Sequence, residues 1–364
     1  MKRRKFSRYG ELSTDRQTHA YPGQERLGAE TMVLEDTLSG RELLRIPQPD
    51  QRRTVALAPD AQMLVTTTYR QTQQGIDQHT FHFWERATGK ECLTIRLGEA
   101  GQQFLNHGMA FSADGRLLAG LREDHRLQVW DVATGQELWH CQGPAEPAQV
   151  LLFTPDGTSL ITGHEDSTIL VWKLPENLWR RHHPRRAWTA EELESWWAAL
   201  AGNDTRQGYQ AIWNFVDAPE DAVMLLAPRL KPAEPIPASS LQRALGNLDS
   251  NQFRVREAAE KRLASWYERA EPAQRAALEE KPSLEKRRRI ERLLARPFAL
   301  VTSAELLRQL RAVRVLEQVA GSGPDAARLA AIDLLKHLAA GDPGARLTNE
   351  AKAALERIKL VARS

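Results

Sequence analysis

Residues Gly108–Gly143, GMAFSADGRLLAGLREDHRLQVWDVATGQELWHCQG, hold four short apolar runs, each closed by a turn signal. Met109–Phe111 leads into Ala113-Asp114-Gly115, Leu117–Leu121 into Glu123-Asp124-His125, and Leu127–Val132 into Ala133-Thr134-Gly135. Leu138–Cys141 ends the unit. Glycine enters the left-handed region without steric cost and aspartate bonds its own backbone, so Asp-Gly and Thr-Gly suit tight reversals. Four runs joined in this way predict one meandering antiparallel sheet. A sheet of that size is marginal alone, so repetition decides the fold.

The pattern repeats on both sides. Downstream, VLLFTPDGTSLITGHEDSTILVWKLP (150–175) copies three strands and stops; upstream, VALAPDAQMLVTTTY (55–69) and FHFWERATGKECLTIRL (81–97) make a full copy. Trp84, Trp130 and Trp172 recur at 46 and 42 residues, and Gly40, Gly89 and Gly135 recur in the turns at 49 and 46. Four strands and a Trp-Asp pair every 40–45 residues or so are a propeller-blade signature. Here the sequence resembles the WD-repeat family. Trp130-Asp131 matches the namesake dipeptide, whereas Trp84-Glu85 and Trp172-Lys173 keep only the tryptophan. The resemblance implies structural roles for Trp84, Trp130, Trp172, the turn aspartates Asp124 and Asp166, and the turn glycines Gly89 and Gly135. Thr162 falls where the family places a second-strand hydroxyl, and Ala119 is read as its replacement in the preceding copy. The family's histidine before the first strand has no counterpart in residues 143–149, so its buried hydrogen-bond network is expected to be incomplete. His125 and His164 read as surface turn residues.

At 364 residues, 41 % apolar and 27 % charged, the chain is a globular one that can bury a sizeable core. A net charge of +3 announces no polyanionic partner by itself. Cys92 and Cys141 form no CxxC pair and fall in fourth strands, where a thiol acts as a small hydrophobe. No apolar run is long enough to span a membrane, and no hydrophobic stretch follows Lys2–Lys5 as a signal peptide would require. A cytoplasmic protein is the expectation.

Residues 1–29 are polar, basic and without periodicity, and are expected to be unpacked. Residues 31–46 then read as a third and fourth strand with Glu35 in the tryptophan position. Joining this half copy to the three-stranded last copy makes about three blades, where propellers need four to eight. The chain is therefore expected to be an incomplete WD-repeat propeller spanning 30–175 and cut from a longer protein. It should form an arc with an open strand edge through which it self-associates. The insertion RQTQQGIDQHT (70–80) lengthens one hairpin, either as a recognition loop or as a tolerated surface insertion.

The composition changes after Pro175. Residues 176–188, ENLWRRHHPRRAW, form a basic, proline-broken linker, and everything from 189 to 364 reads helical. Thr189-Ala-Glu-Glu192 is a capping box, followed by Leu193, Trp196, Trp197 and Leu200 on one face. Pro219 starts a third helix, residues 231–237 are an extended loop, and Gly321 and Gly341 mark helix stops. Residues 248–256 with Ala259 and Leu263 resemble a HEAT-type repeat, implying an α-solenoid or irregular bundle. The whole also resembles a group of bacterial WD-repeat proteins, best known from planctomycetes, whose tails carry stretches like LDSNQFRVREAAEKRLA, KPSLEKRRRIERLLA and LRAVRVLEQVAGSGPDAARLA. The sheet and helical regions are expected to separate under limited proteolysis.

No nucleophile–base pair, zinc motif, phosphate loop or glycine fingerprint is present, so no cofactor, metal or enzymatic activity is expected. The expected function is a protein-interaction scaffold with other proteins as partners. The alternative is nucleic-acid binding through the basic segments 180–186 (Arg180, Arg181, Arg185, Arg186) and 286–292. Against it, such runs usually form a solvated helix face.

Overall fold

The computed structural model describes residues 11–13, 16–24, 30–38, 40–48, 55–72, 75–97, 104–146, 148–179, 188–294, 300–301 and 303–361. Four antiparallel sheets follow one another, each a simple meander. The first holds β1 (Glu11–Leu12), β2 (Thr18–Gln24), β3 (Glu30–Asp36) and β4 (Glu42–Gln48). The second holds β5 (Val55–Leu57), β6 (Met63–Thr72), β7 (Gly75–Glu85) and β8 (Lys90–Leu97). The third holds β9 (Phe104–Phe111), β10 (Leu117–Arg122), β11 (Arg126–Asp131) and β12 (Glu137–Gln142). The fourth has three strands, β13 (Ala148–Phe153), β14 (Ser159–His164) and β15 (Ile169–Lys173).

Four blades rather than three correct the reading of the N-terminus. Residues expected to be unpacked supply β1 and β2, with Thr18, His19 and Ala20 buried. The physical reason is a polar signature: His19 and Glu35 stand where later blades pair Leu with Trp, and β1 is only two residues long. The end copies also do not complete each other, since β4 pairs only with β3 and β15 only with β14. First strands of successive blades adjoin, and an apolar layer lies between each pair of sheets. The insertion at 70–80 is no loose loop. It continues the β6–β7 ladder, with Arg70 opposite Gln78 and Thr72 opposite Gly75.

Eleven helices follow among the described residues: α1 (Glu176–Trp179), α2 (Ala190–Leu200), α3 (Thr205–Val216), α4 (Pro219–Leu226), α5 (Ala238–Asn247), α6 (Phe253–Ser265), α7 (Glu271–Glu279), α8 (Leu284–Leu294), α9 (Ala304–Ser322), α10 (Asp325–Ala339) and α11 (Arg346–Val361). The capping box at α2 forms as read: the Thr189 hydroxyl accepts from the Glu192 amide while the Glu192 carboxylate accepts from the Thr189 amide. Gly321 is not a stop. It lies inside α9, which ends at Gly323, whereas Gly341 does follow the end of α10.

The helices form two packed groups. Helices α5 to α8 share one small core around Leu248, Leu263 and Ile290. The others, α2 to α4 and α9 to α11, do not stand apart from the sheets, and α1 rests Leu178 on the cluster between blades three and four. One continuous apolar cluster runs from Phe81, Phe83, Met109 and Trp130 in blades two and three to Ile212, Phe215, Val313 and Leu335 in the helices. The expectation of separable halves therefore meets a shared core.

Candidate functional site

The tryptophans sit as the register demands. Leu64 pairs with Trp84, Leu118 with Trp130 and Leu160 with Trp172 across the second and third strands. The Trp84 indole donates to the Thr66 hydroxyl at 2.9 Å, and Trp172 donates to Thr162 at 2.9 Å. The matching position in blade three is Gly120, not Ala119 as read from sequence, because Thr66, Gly120 and Thr162 share one register. Trp130 is fully buried and meets Phe81 edge-to-face at 5.1 Å.

His164 is not a surface turn residue. It is buried, with Nε2 2.8 Å from the Thr162 hydroxyl and Nδ1 3.0 Å from the Glu146 carbonyl. With hydrogen on Nδ1, every link of Trp172–Thr162–His164–Glu146 has a donor and an acceptor. The histidine missing from the loop is thus supplied from the end of the second strand. His125 does lie in a turn, in the left-handed region at φ 66°. Asp124 accepts from the Arg126 amide at 3.3 Å and pairs with Arg122 at 3.1 Å; Asp166 accepts from the Thr168 amide and hydroxyl. Those Thr168 bonds hold the Asp166 carboxyl below its usual range. Gly89 and Gly135 take φ of +65° and +73°, and a Cβ on Gly89 would strike Leu300 at 2.8 Å.

A buried charged junction between blades and helices had no explicit signal in the repeat pattern. Arg311 of α9 forks onto Glu85, with Nε 2.7 Å and Nη2 2.9 Å from its two oxygens, and donates to the carbonyls of Leu200 and Gly202. Arg314, one turn on, pairs with Asp60 at 2.8 Å. Glu317, the next turn, accepts two bonds from Arg357 at 2.7 and 2.8 Å. Burial pushes the Glu317 carboxyl up. Burial acts the same way on Glu350, but Arg86 and Arg357 outweigh it and hold that carboxyl down. The Tyr209 hydroxyl donates to the Val132 carbonyl at 3.0 Å, and Arg116 bridges Asp131 and Asp217. The acids of the Trp-acid dipeptides, Glu85 and Asp131, thus hold helices in place. In the sequence, Arg311, Arg314 and Glu317 stand at a helical spacing of three on a helix that also carries Glu305, Arg308 and Gln309, a pattern that names none of their partners.

The basic segments divide. Arg180, Arg181, Arg185 and Arg186 lie outside the described residues. In the 286–292 run, Arg289 is buried and paired with Glu260 and Glu285, and Arg292 leans on Glu260. Among the described residues no cluster of three or more His, Cys, Asp or Glu is placed to hold a metal ion, and no helix is long and apolar enough to cross a membrane. Cys92 and Cys141 are free thiols; burial pushes Cys141 up to about 11.

Residues 136–173 match the model of the WD domain, G-beta repeat. The chain is similar to the pre-rRNA-processing protein IPI3 of Mycosarcoma maydis, 42 % identical over 66 residues, 18 % of this chain and 11 % of that protein. It is also similar to protein groucho of Drosophila melanogaster, 25 % identical over 131 residues (36 % and 17 %). A third relative is human WD repeat and SOCS box-containing protein 1, 35 % identical over 72 residues (20 % and 17 %). The matches span no more than 17 % of these three relatives' lengths. The chain thus carries WD-repeat sequence on propeller-like blades, with helices fused to them.

Proposed function

We propose that the chain is a non-enzymatic protein-interaction scaffold built from WD-repeat blades and a HEAT-like helical tail, of the kind its resemblance to planctomycete-type bacterial proteins implies. The observation that carries this reading is how the polar side chains of the blades are used. Trp172, Thr162, His164 and Asp131 are consumed by bonds within blades, and Glu85 by bonds to Arg311 of α9. What is left is a rigid platform, which suits recognition rather than chemistry. Crosslinking of the full chain in native extract, read by mass spectrometry, tests this. A stoichiometric protein partner contacting the blades is expected, and recovery of nucleic acid alone would overturn the reading.

One observation favours the alternative. Arg243, Arg254 and Arg262 line a cavity of about 310 Å³ between α5 and α6, with Ser240 and Asn247 and no carboxylate. We infer that this cavity would bind phosphate, adding to the basic segments 180–186 and 286–292 on which the alternative rests. Binding to nonspecific RNA that weakens steeply with salt would support it, since phosphate contacts release counterions. No binding at low salt ends it.

A further inference from the structure

Register places one pair of apolar side chains at the same point of every third strand: Met32 and Leu34, Phe81 and Phe83, Leu127 and Val129, Ile169 and Val171. In the first three blades the next sheet covers this pair. Leu127 and Val129 are 1 % and 0 % exposed, whereas Ile169 and Val171 are 72 % and 65 % exposed. Cross-strand rows extend the uncovered face. Val171 lies beside Ile161 and Leu152, and Ile169 beside Gly163 and Val150. Leu152 and Val150 are themselves about half exposed. The fourth blade thus keeps the face of an internal blade with no described sheet on it.

The other end of the array is built differently. In blades two to four, Leu64–Trp84, Leu118–Trp130 and Leu160–Trp172 fill the second- and third-strand positions facing back along the array. In blade one those positions hold His19 and Glu35. Glu35 accepts from the Tyr21 hydroxyl, His19 stacks on Tyr21, and Arg45 spans the same face from Thr31 to Glu42. Burying the partly exposed charges of Glu35 and Arg45 against Ile169 and Val171 would strip them of water without offering new partners. The described faces of blades one and four therefore do not match each other, either for ring closure or for head-to-tail strings of copies. Among the described residues, the same aliphatic face of a second copy is the matching cover for the fourth blade.

Charge supports that pairing. Lys173 continues the Ile169, Val171 face at one end of the ladder and has no ion-pair partner among the described residues. Glu165 is exposed in the turn at the other end. A two-fold axis lying between the two sheets, perpendicular to the strands and level with Val171, would bring each Lys173 over the other copy's Glu165. Such rim charges fix register while the aliphatic centre supplies the contact.

We propose that the outward face of the fourth blade is a homodimer interface, in which a second copy stacks Val150, Leu152, Ile161, Ile169 and Val171 against the same residues about that two-fold axis. The contact is isologous and closes at two copies. It relocates self-association from the open strand edge of β15 to the sheet face, and does not depend on the scaffold reading.

Sedimentation velocity on the full chain from roughly 1 to 100 µM, a range that resolves micromolar dissociation constants, tests it. The expected result is a monomer–dimer equilibrium with no larger species. V171K should be monomeric throughout with an unchanged melting temperature, because the side chain it replaces is exposed. K173E should weaken the dimer about tenfold, and K173E combined with E165K should restore it. A parent monomeric at the top concentration, assemblies that keep growing, or a dimer indifferent to V171K would each overturn the proposal; the last would return the contact to the strand edge.

Discussion

Trp130 is walled by blades two and three and by helical side chains, so removing its ring leaves a cavity that no single element can close. Trp130→Ala should cost about 3–5 kcal/mol, and the loss should appear in helical as well as sheet signals during denaturant unfolding. A loss under about 1 kcal/mol would contradict the buried ring. His125 has the opposite sign. It sits at φ 66°, where a Cβ is strained, while the neighbouring Gly143 could not carry one, since its Cβ would lie 2.7 Å from the His125 carbonyl. His125→Gly should therefore stabilise by about 0.5–1 kcal/mol, read as a raised denaturation midpoint. His79 reports pH: burial lowers its pKa, and the Arg122 guanidinium adds to that. The unfolded chain then binds the proton more readily, so stability is present above the unfolded value of about 6.5 and is lost as pH falls through it. Melting temperature should drop between pH 7.5 and 5.5 or so, and His79→Gln should flatten that drop; an equal drop in both would show that His79 does not titrate differently on folding.

Among the elements, α3 and α9 explain each other. A glycine inside a helix costs about 1 kcal/mol against alanine, yet α3 carries Gly208 in its buried face. A Cβ there would overlap the Arg311 guanidinium, so the glycine makes room for the group that pairs with Glu85. Gly208→Ala should lose about 1–3 kcal/mol instead of gaining. Arg311→Leu should cost about 3–5 kcal/mol, because Glu85 stays buried without its charge partner. Combining the two should cost less than their sum in a double-mutant cycle; strict additivity would mean the clash is absent. The same elements show what sequence could carry. Blades two to four were legible because turn glycines and tryptophans recur in register. Blade one was half hidden, since Glu35 and His19 replace Trp and Leu and β1 is two residues long. The role of Arg311 was illegible because an arginine on a helix reads as solvated until its partner, 226 residues away, is placed beside it.

For the whole molecule, the basic linker and the shared core make opposing demands. Residues 176–188 hold four arginines and a proline, so trypsin should cut there first. Cutting a covalent link does not remove the apolar cluster that joins Phe81 and Trp130 to Phe215 and Val313, nor the pairs Arg311–Glu85, Arg314–Asp60 and Arg86–Glu350. Interfaces between units are loose by default unless they are large and apolar; this one is apolar and also carries buried charges that would be unpaired on separation. The nicked chain should therefore migrate as one species on native size-exclusion chromatography and fall into two fragments only in denaturant. The intact chain should melt through one transition for blades two and three together with α2–α4 and α9–α11, with α5–α8, on their own small core, free to melt earlier. Two fragments parting in native buffer would show that the sheet and helical regions fold independently after all.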